Sequence, residues 1–448
     1  MRAPTPFLKR AAKCFRASSF CGVAICGLAW AIGFVSVAIA RSEGPPVAVP
    51  DDPARMLMAV DQLVRTQLPS GLFPYDYDFA TGAAEDMSDI SGLNIVRQGG
   101  VLFALVQYLE VTDSQRLRET VAKTLQAFAD RSLPVGKGKV QSVLEDMGAY
   151  NRWQFWGILR APLDFVGLLY AAKGKGALVS ANGSYERAWP GATALALTSE
   201  LIYRNLTGDE KFADMRQRWL HGLLALRVPQ RGFREAPHYL DESGYVNGEA
   251  WLALTEYSRA FPRDGGVATT LSELDDYLIR RYSTAPSLQF YHWGAMAAAL
   301  RLQMTGDPRF SRFIRDQTDW FLAKRASVRE EPDNTCASVE GLATAYRVLR
   351  VGTLNEEDPL MVRIRSRVEL TMTHNRRLQI WSGQESFMLD DGVEIRSPRF
   401  PLYAGAFLMS SKGAKIQVDV TAHCLSALIR MQNAGLARQV AAPVASNR

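Results

Sequence analysis

Apolar residues recur at helical spacing along most of this chain, and the segments they define fall into two kinds. Between 54 and 68, Met56, Leu57, Val60, Leu63 and Val64 return every three to four positions, which predicts an amphipathic helix. The same spacing, with turn residues between, predicts helices over 94–110, 115–131, 189–205, 210–226, 247–260, 269–281, 288–304, 308–324, 338–350, 359–373 and 417–432. One kind, as at 192–201 and 294–302, is rich in Ala, Gly and Leu with few charges; the other, as at 211–219 and 309–320, is charged and amphipathic. A helix that is apolar nearly all round is buried, and an amphipathic one meets solvent on one face. The alternation predicts inner and outer layers of a double-walled array.

The apolar helices also share punctuation. Three of them open on Asn94-Ile95-Val96-Arg97-Gln98-Gly99-Gly100, Trp189-Pro190-Gly191-Ala192 and Tyr291-His292-Trp293-Gly294, and they close on Thr112-Asp113, Thr207-Gly208-Asp209 and Thr305-Gly306-Asp307. The unit is a helical hairpin repeating about every fifty residues, and such a unit buries its apolar face only by stacking on its neighbours. About twelve helices in about six pairs result. In this the chain from Asp51 to Gln432 resembles the (α/α)6-toroid, or six-hairpin glycosidase-like, superfamily. The resemblance implies an all-α closed ring with a central cavity and carbohydrate-active chemistry. Open solenoids and terpenoid-cyclase-type barrels share the rhythm.

The rhythm breaks from 134 to 187, an aromatic and Gly-rich stretch. There, 163–171 and 177–181 flank Lys173-Gly174-Lys175-Gly176, which predicts a small β-hairpin insertion near 163–181.

Composition adds limits. With 448 residues, 47% hydrophobic and 22% charged, the chain fits one large repeat-built domain over 54–432, preceded by a Pro-rich linker at 41–53 and followed by a flexible tail at 433–448. The net charge of +6 is a property of the leader. Residues 1–40 hold Arg2, Lys9, Arg10, Lys13 and Arg16 and no acid, so the rest carries 47 basic against 46 acidic residues. No basic patch with interleaved aromatics exists, which excludes nucleic acid as a partner. The basic start, the apolar run over 18–40 and the Ala38-Ile39-Ala40 ending describe a signal peptide, or alternatively an N-terminal membrane anchor. Either exports the remainder, to a periplasmic or secreted location.

Three of the five cysteines lie in the leader. Cys336 and Cys424 are then either a single bridge or two small buried residues. They would begin the last two inner helices near His423. Zinc-binding lanthionine-cyclase barrels use two cysteines and a histidine on a related toroid, but their local motifs are missing here. The histidines form no HExxH pattern, and there is no phosphate loop, nucleotide signature or GxSxG elbow, so no metal and no cofactor are expected.

In a toroid the starts of the inner helices surround one mouth, where helix dipoles favour anionic or hydroxyl-rich ligands. Candidate residues for substrate binding there are Tyr75, Asp76, Tyr77, Arg97, Gln98, Trp189, Tyr245, Asn247, Tyr291, His292 and Trp293, with Glu235 and Glu340 nearby. Aromatics stack on the apolar faces of sugar rings, while amides and charges bind hydroxyls. Glu249, in the first turn of an otherwise apolar helix, is the leading catalytic candidate. Asp419 and His423, spaced i,i+4 on the last inner helix, form an acid–base candidate, and Asp78 with Asp76 a carboxylate pair suited to glycoside hydrolysis. The expected function is an exported carbohydrate-active enzyme, a hydrolase, lyase or epimerase of a poly- or oligosaccharide. The alternatives are a non-catalytic saccharide-binding or polysaccharide-assembly protein and a protein-interaction solenoid.

Overall fold

The structure, a computed structural model, describes residues 50–83, 92–135, 175–183, 187–237, 239, 241–325, 333–352 and 354–438. The leader with its expected signal or anchor lies outside them, as do 163–171. Among the described residues no helix is long and apolar enough to cross a membrane.

In chain order the elements are α1 (Asp52–Thr66), β1 (Asp76–Asp78), α2 (Gly92–Val111), α3 (Gln115–Asp130), β2 (Ser132–Val135), β3 (Gly176–Val179), α4 (Pro190–Thr207), α5 (Ala213–Ala225) and α6 (Gly244–Ala260). There follow α7 (Gly265–Thr284), α8 (Leu288–Thr305), α9 (Pro308–Lys324), α10 (Cys336–Gly352), α11 (Pro359–Arg377), β4 (Ser386–Met388), β5 (Glu394–Arg396), α12 (Phe400–Tyr403), β6 (Lys415–Gln417) and α13 (Val418–Ala434).

The inner helices close a ring. Helix α2 packs on α4, α4 on α6, α6 on α8, α8 on α10, α10 on α13, and α13 returns to α2. Outer helices α3, α5, α7, α9 and α11 each pack on the inner helix that precedes them, and α1 packs on α13, so the two ends of the chain complete the sixth pair. Inner α8 is buried at every position from 290 to 300, whereas its outer neighbour α9 buries a stripe of Phe310, Phe313, Ile314, Gln317 and Phe321. The repeated Thr-Gly-Asp punctuation has a physical cause. Gly306 takes the left-handed conformation that ends α8, and Asp307 then accepts the Arg309 N–H to start α9.

Strand β3 pairs antiparallel with β2, Ser132 opposite Val179 and Val135 opposite Gly176, and the other expected hairpin arm, 163–171, lies outside the described residues. Val135, Leu178, Ala188 and Leu226 form a small core under this ribbon. Two further ribbons join β1 to β6 and β4 to β5. At the other end, the chain stays anchored past 433. The Arg438 N–H donates to Asp52 at 2.7 Å, and Asp52 also receives both Arg376 prongs at 2.8 Å.

Candidate active site

Glycines in the inner helices let these helices approach where a side chain would not fit. A Cβ on Gly191 of α4 would lie 2.2 Å from a Glu249 carboxylate oxygen on α6, and one on Gly248 of α6 would lie 2.5 Å from the Trp293 Cβ on α8. The starts of the inner helices therefore converge on a cavity of about 270 Å³. Arg97 comes from α2, Trp189 and Gly191 from the start of α4, Tyr245 and Glu249 from α6, His292 and Trp293 from α8, Ala337 from α10, and Asp419 and His423 from α13.

Two of these groups are buried with a bare polar atom. Glu249 is 3% exposed and its Oε2 has no hydrogen-bond partner. Burial pushes its carboxyl up to about 8 against the opposing pull of the His423 charge, so it is protonated at neutral pH. His292 is 6% exposed, and its Nε2 is likewise unpartnered. Burial lowers its imidazole to about 4, with Glu340 working the other way.

His423 is in the opposite state. Its Nδ1 stands 3.1 Å from a carboxylate oxygen of buried Glu340. Burial works against charge on His423, but the Glu340 carboxylate, with Asp419 behind it, raises the imidazole above its usual value. Burial likewise works against the Glu340 charge, and the His423 imidazolium holds it below the usual carboxylate range. One imidazole held toward its neutral form and one held toward its charged form thus meet edge to face, ring centroids 5.8 Å apart at 79°. Arg97 completes the rim. Its Nε lies 3.3 Å from Asp419, and its guanidinium covers the Tyr75 ring at 4.9 Å. Half-buried Trp189 and the Trp293 ring, which leans on Phe103 at 5.4 Å, supply aromatic surface.

Other candidates are placed elsewhere. Gln98 holds the Phe73 backbone, accepting its N–H and donating to its carbonyl at 2.9 Å, so its amide is a loop fastener and not a substrate contact. Asn247 accepts the Phe233 N–H and donates to Glu242 and the Tyr282 hydroxyl, behind the cavity wall. The Tyr291 hydroxyl meets Thr318 at 3.1 Å in the outer layer. Tyr77 sits in a separate apolar cluster, stacked on Tyr403. Asp76 pairs with Lys415 at 2.6 Å, and Asp78 accepts the N–H groups of Ala80 and Thr81 in a turn. Neither acid is in the lining of this cavity. Sequence reasoning missed Ser243, Val96 and Leu195 in the lining, none of which carries a chemical signal of its own.

Cys336 and Cys424 are bonded to each other, so their sulfurs are not zinc ligands. Among the described residues the group with metal-ligand potential is instead His292, Glu340 and His423, whose donor atoms lie within 4.8 Å of one another.

No protein-family model matches the chain, and no curated protein matches its sequence. Solved structures do match its backbone. An alpha-1,6-mannanase of Salegentibacter sp. HEL1_6, in complex with alpha-1,6-mannotetrose, aligns over 86% of this chain and 100% of its own at 10% identity, with a TM-score of 0.52. D-mannose isomerase aligns over 87% of this chain and 100% of its own, also at 10% identity and a TM-score of 0.52. The fold is an (α/α)6 toroid. In this toroid the ring of inner-helix starts holds the two histidines, Glu249 and Arg97 together.

Proposed function

We propose that the toroid is an exported carbohydrate-processing enzyme that moves a proton at a sugar carbon next to a carbonyl, which makes it an isomerase or epimerase. The observation that carries this reading is the pair of adjoining imidazoles, 5.8 Å apart, whose surroundings push their proton affinities in opposite directions. Groups whose surroundings drive their pKa values apart divide into acid and base. His292, unprotonated across the physiological range, offers its bare Nε2 to a C–H proton. Negative charge developing on the sugar raises its proton affinity as the transfer proceeds. The His423 imidazolium and the protonated Glu249 supply protons to the carbonyl oxygen, and Trp189 and Trp293 offer stacking faces for the ring. D-mannose isomerase and the mannotetrose-bound mannanase support a saccharide as the ligand. The Cys336–Cys424 bridge supports an oxidising compartment, in keeping with the leader.

A second reading, glycoside hydrolysis, is favoured by Glu249 alone. A carboxyl held protonated near neutrality suits a general acid, and Glu235, also in the lining, would be its carboxylate partner. Incubating the purified protein with a panel of mono- and oligosaccharides separates the readings. New isomers at constant mass and a constant number of reducing ends are expected, and accumulating reducing ends would replace isomerisation by hydrolysis. Binding without turnover, unaltered by Glu249→Gln, would make the protein a saccharide binder.

A further inference from the structure

Most outer helices of the toroid are capped by a side chain, α5 being the exception, and four inner helices are not. Outer helices α1, α3, α7, α9 and α11 each have an Asp or Ser side chain accepting a first-turn N–H. Inner helices α4, α6, α8 and α13 start at Trp189, Ser243, Ser287 and Gln417, and none of these side chains caps its helix. Two of the four are serines, a residue type that caps well. First-turn N–H groups and the positive dipole ends are thus left for the cavity, where they favour a negatively charged group.

Arg97 stands in the same place. It is the one arginine or lysine among the described lining residues. Asp419 takes its Nε side, Tyr75 covers one face, and the side chain is 39% exposed. The edge opposite Nε is the two-pronged donor that matches a carboxylate. The unpartnered Glu249 Oε2 and His292 Nε2, both in the lining and more than nine-tenths buried, separately indicate that this cavity takes a polar ligand.

We propose that this ligand is an acidic sugar, a uronic acid unit whose carboxylate docks on the open edge of Arg97 beside the uncapped starts of α6 and α13. The proposal rests on the reading of the cavity as a sugar site, and not on the reaction performed there. Asp419 orients the guanidinium from behind, and the sugar carboxylate completes its hydrogen bonding.

The test is calorimetric titration of the purified full-length protein with D-glucuronate, D-galacturonate and D-mannuronate, each beside its uronamide. The amide keeps the shape and removes the charge. At least one uronate is expected to bind about ten-fold or more tightly than its amide, the worth of a charge-assisted contact. Arg97→Gln should abolish that preference and Arg97→Lys retain part of it, and added salt should weaken the wild-type preference. Lys keeps a charge without the fork, so it supplies the comparison if the glutamine variant does not fold. Equal binding of acid and amide, a preference that survives loss of Arg97, or binding of neutral hexoses alone would overturn the proposal. Proton transfer on a neutral hexose without uronate preference would overturn it and leave the reaction standing. Uronate preference without any proton transfer would do the reverse.

Discussion

Glu340→Gln removes the charge that keeps His423 protonated while preserving shape and an acceptor for its N–H. The two groups stand 3.1 Å apart. At an effective dielectric constant of about 20, unit charges at that separation attract by about 5 kcal/mol. Much of that offsets the desolvation of both groups, and hydrogen bonds to charged partners retain about 1.5–3 kcal/mol net. At about 1.4 kcal/mol per pKa unit, the His423 imidazole should fall by about one to two units. In the wild-type protein the imidazole titrates above its ordinary value, so a step that needs the imidazolium declines on the alkaline side of that value. In the variant this alkaline limb should move toward acid by the same about one to two units. Two assays read it: an NMR titration of the His423 ring, and the pH profile of kcat/KM. A ring titration that moves by less than about half a unit, or an alkaline limb that stays in place, would refute the coupling.

Three other outcomes follow from named contacts. Because burial raises Glu249 to about 8, the folded protein holds its proton more tightly than the unfolded chain does; this stability is complete below the ordinary carboxylate range and is lost as pH rises through about 8. Glu249→Gln should therefore melt close to the wild-type temperature at acid pH and progressively higher than wild type as pH approaches 9, measured by thermal scans across pH. Gly191→Ala sets a methyl against the Glu249 carboxylate and should cut turnover by up to about a hundred-fold with little change in circular dichroism, since an ångström of misplacement has that effect. Replacing Cys336 and Cys424 together by serine opens a loop of 88 residues, for which chain entropy gives about 4–5 kcal/mol, read from denaturant midpoints. The same variant should lose activity, because Cys336 lies one turn before Glu340 and Cys424 directly follows His423.

The ring was legible in the sequence because burial pattern and punctuation agree. Helices apolar all round alternate with striped ones, and the Thr-Gly-Asp turn at 305–307 combines a left-handed cap with an N-cap. Polar residues in the first turns of apolar helices also marked the cavity, which gathers Arg97, Trp189, Tyr245, Glu249, His292, Trp293, Asp419 and His423. The misplaced candidates are their sequence neighbours. Each residue turns a helix by about 100°, so Gln98 beside Arg97 and Tyr291 beside His292 point away from the lumen. Asn247, two positions before Glu249, faces the opposite side for the same reason. Long-range pairings carried no local signal. Asp76 lies opposite Gln417 in the β1–β6 ribbon, and Glu340 meets His423 from another helix. Burial pulls the His292 imidazole down while the Glu340 carboxylate lifts His423 against its own burial, and both effects depend on the closed ring.

The central claim is proton transfer by His292, and solvent exchange tests it most directly. Acidic and neutral sugars are incubated with the purified protein in D2O, and deuterium is followed by NMR at the carbon next to the carbonyl or carboxyl group. Deuterium should enter that carbon at a constant number of reducing ends, and His292→Gln should abolish its entry while leaving sugar binding in place. Turnover that releases new reducing ends with no deuterium at that carbon would contradict the account.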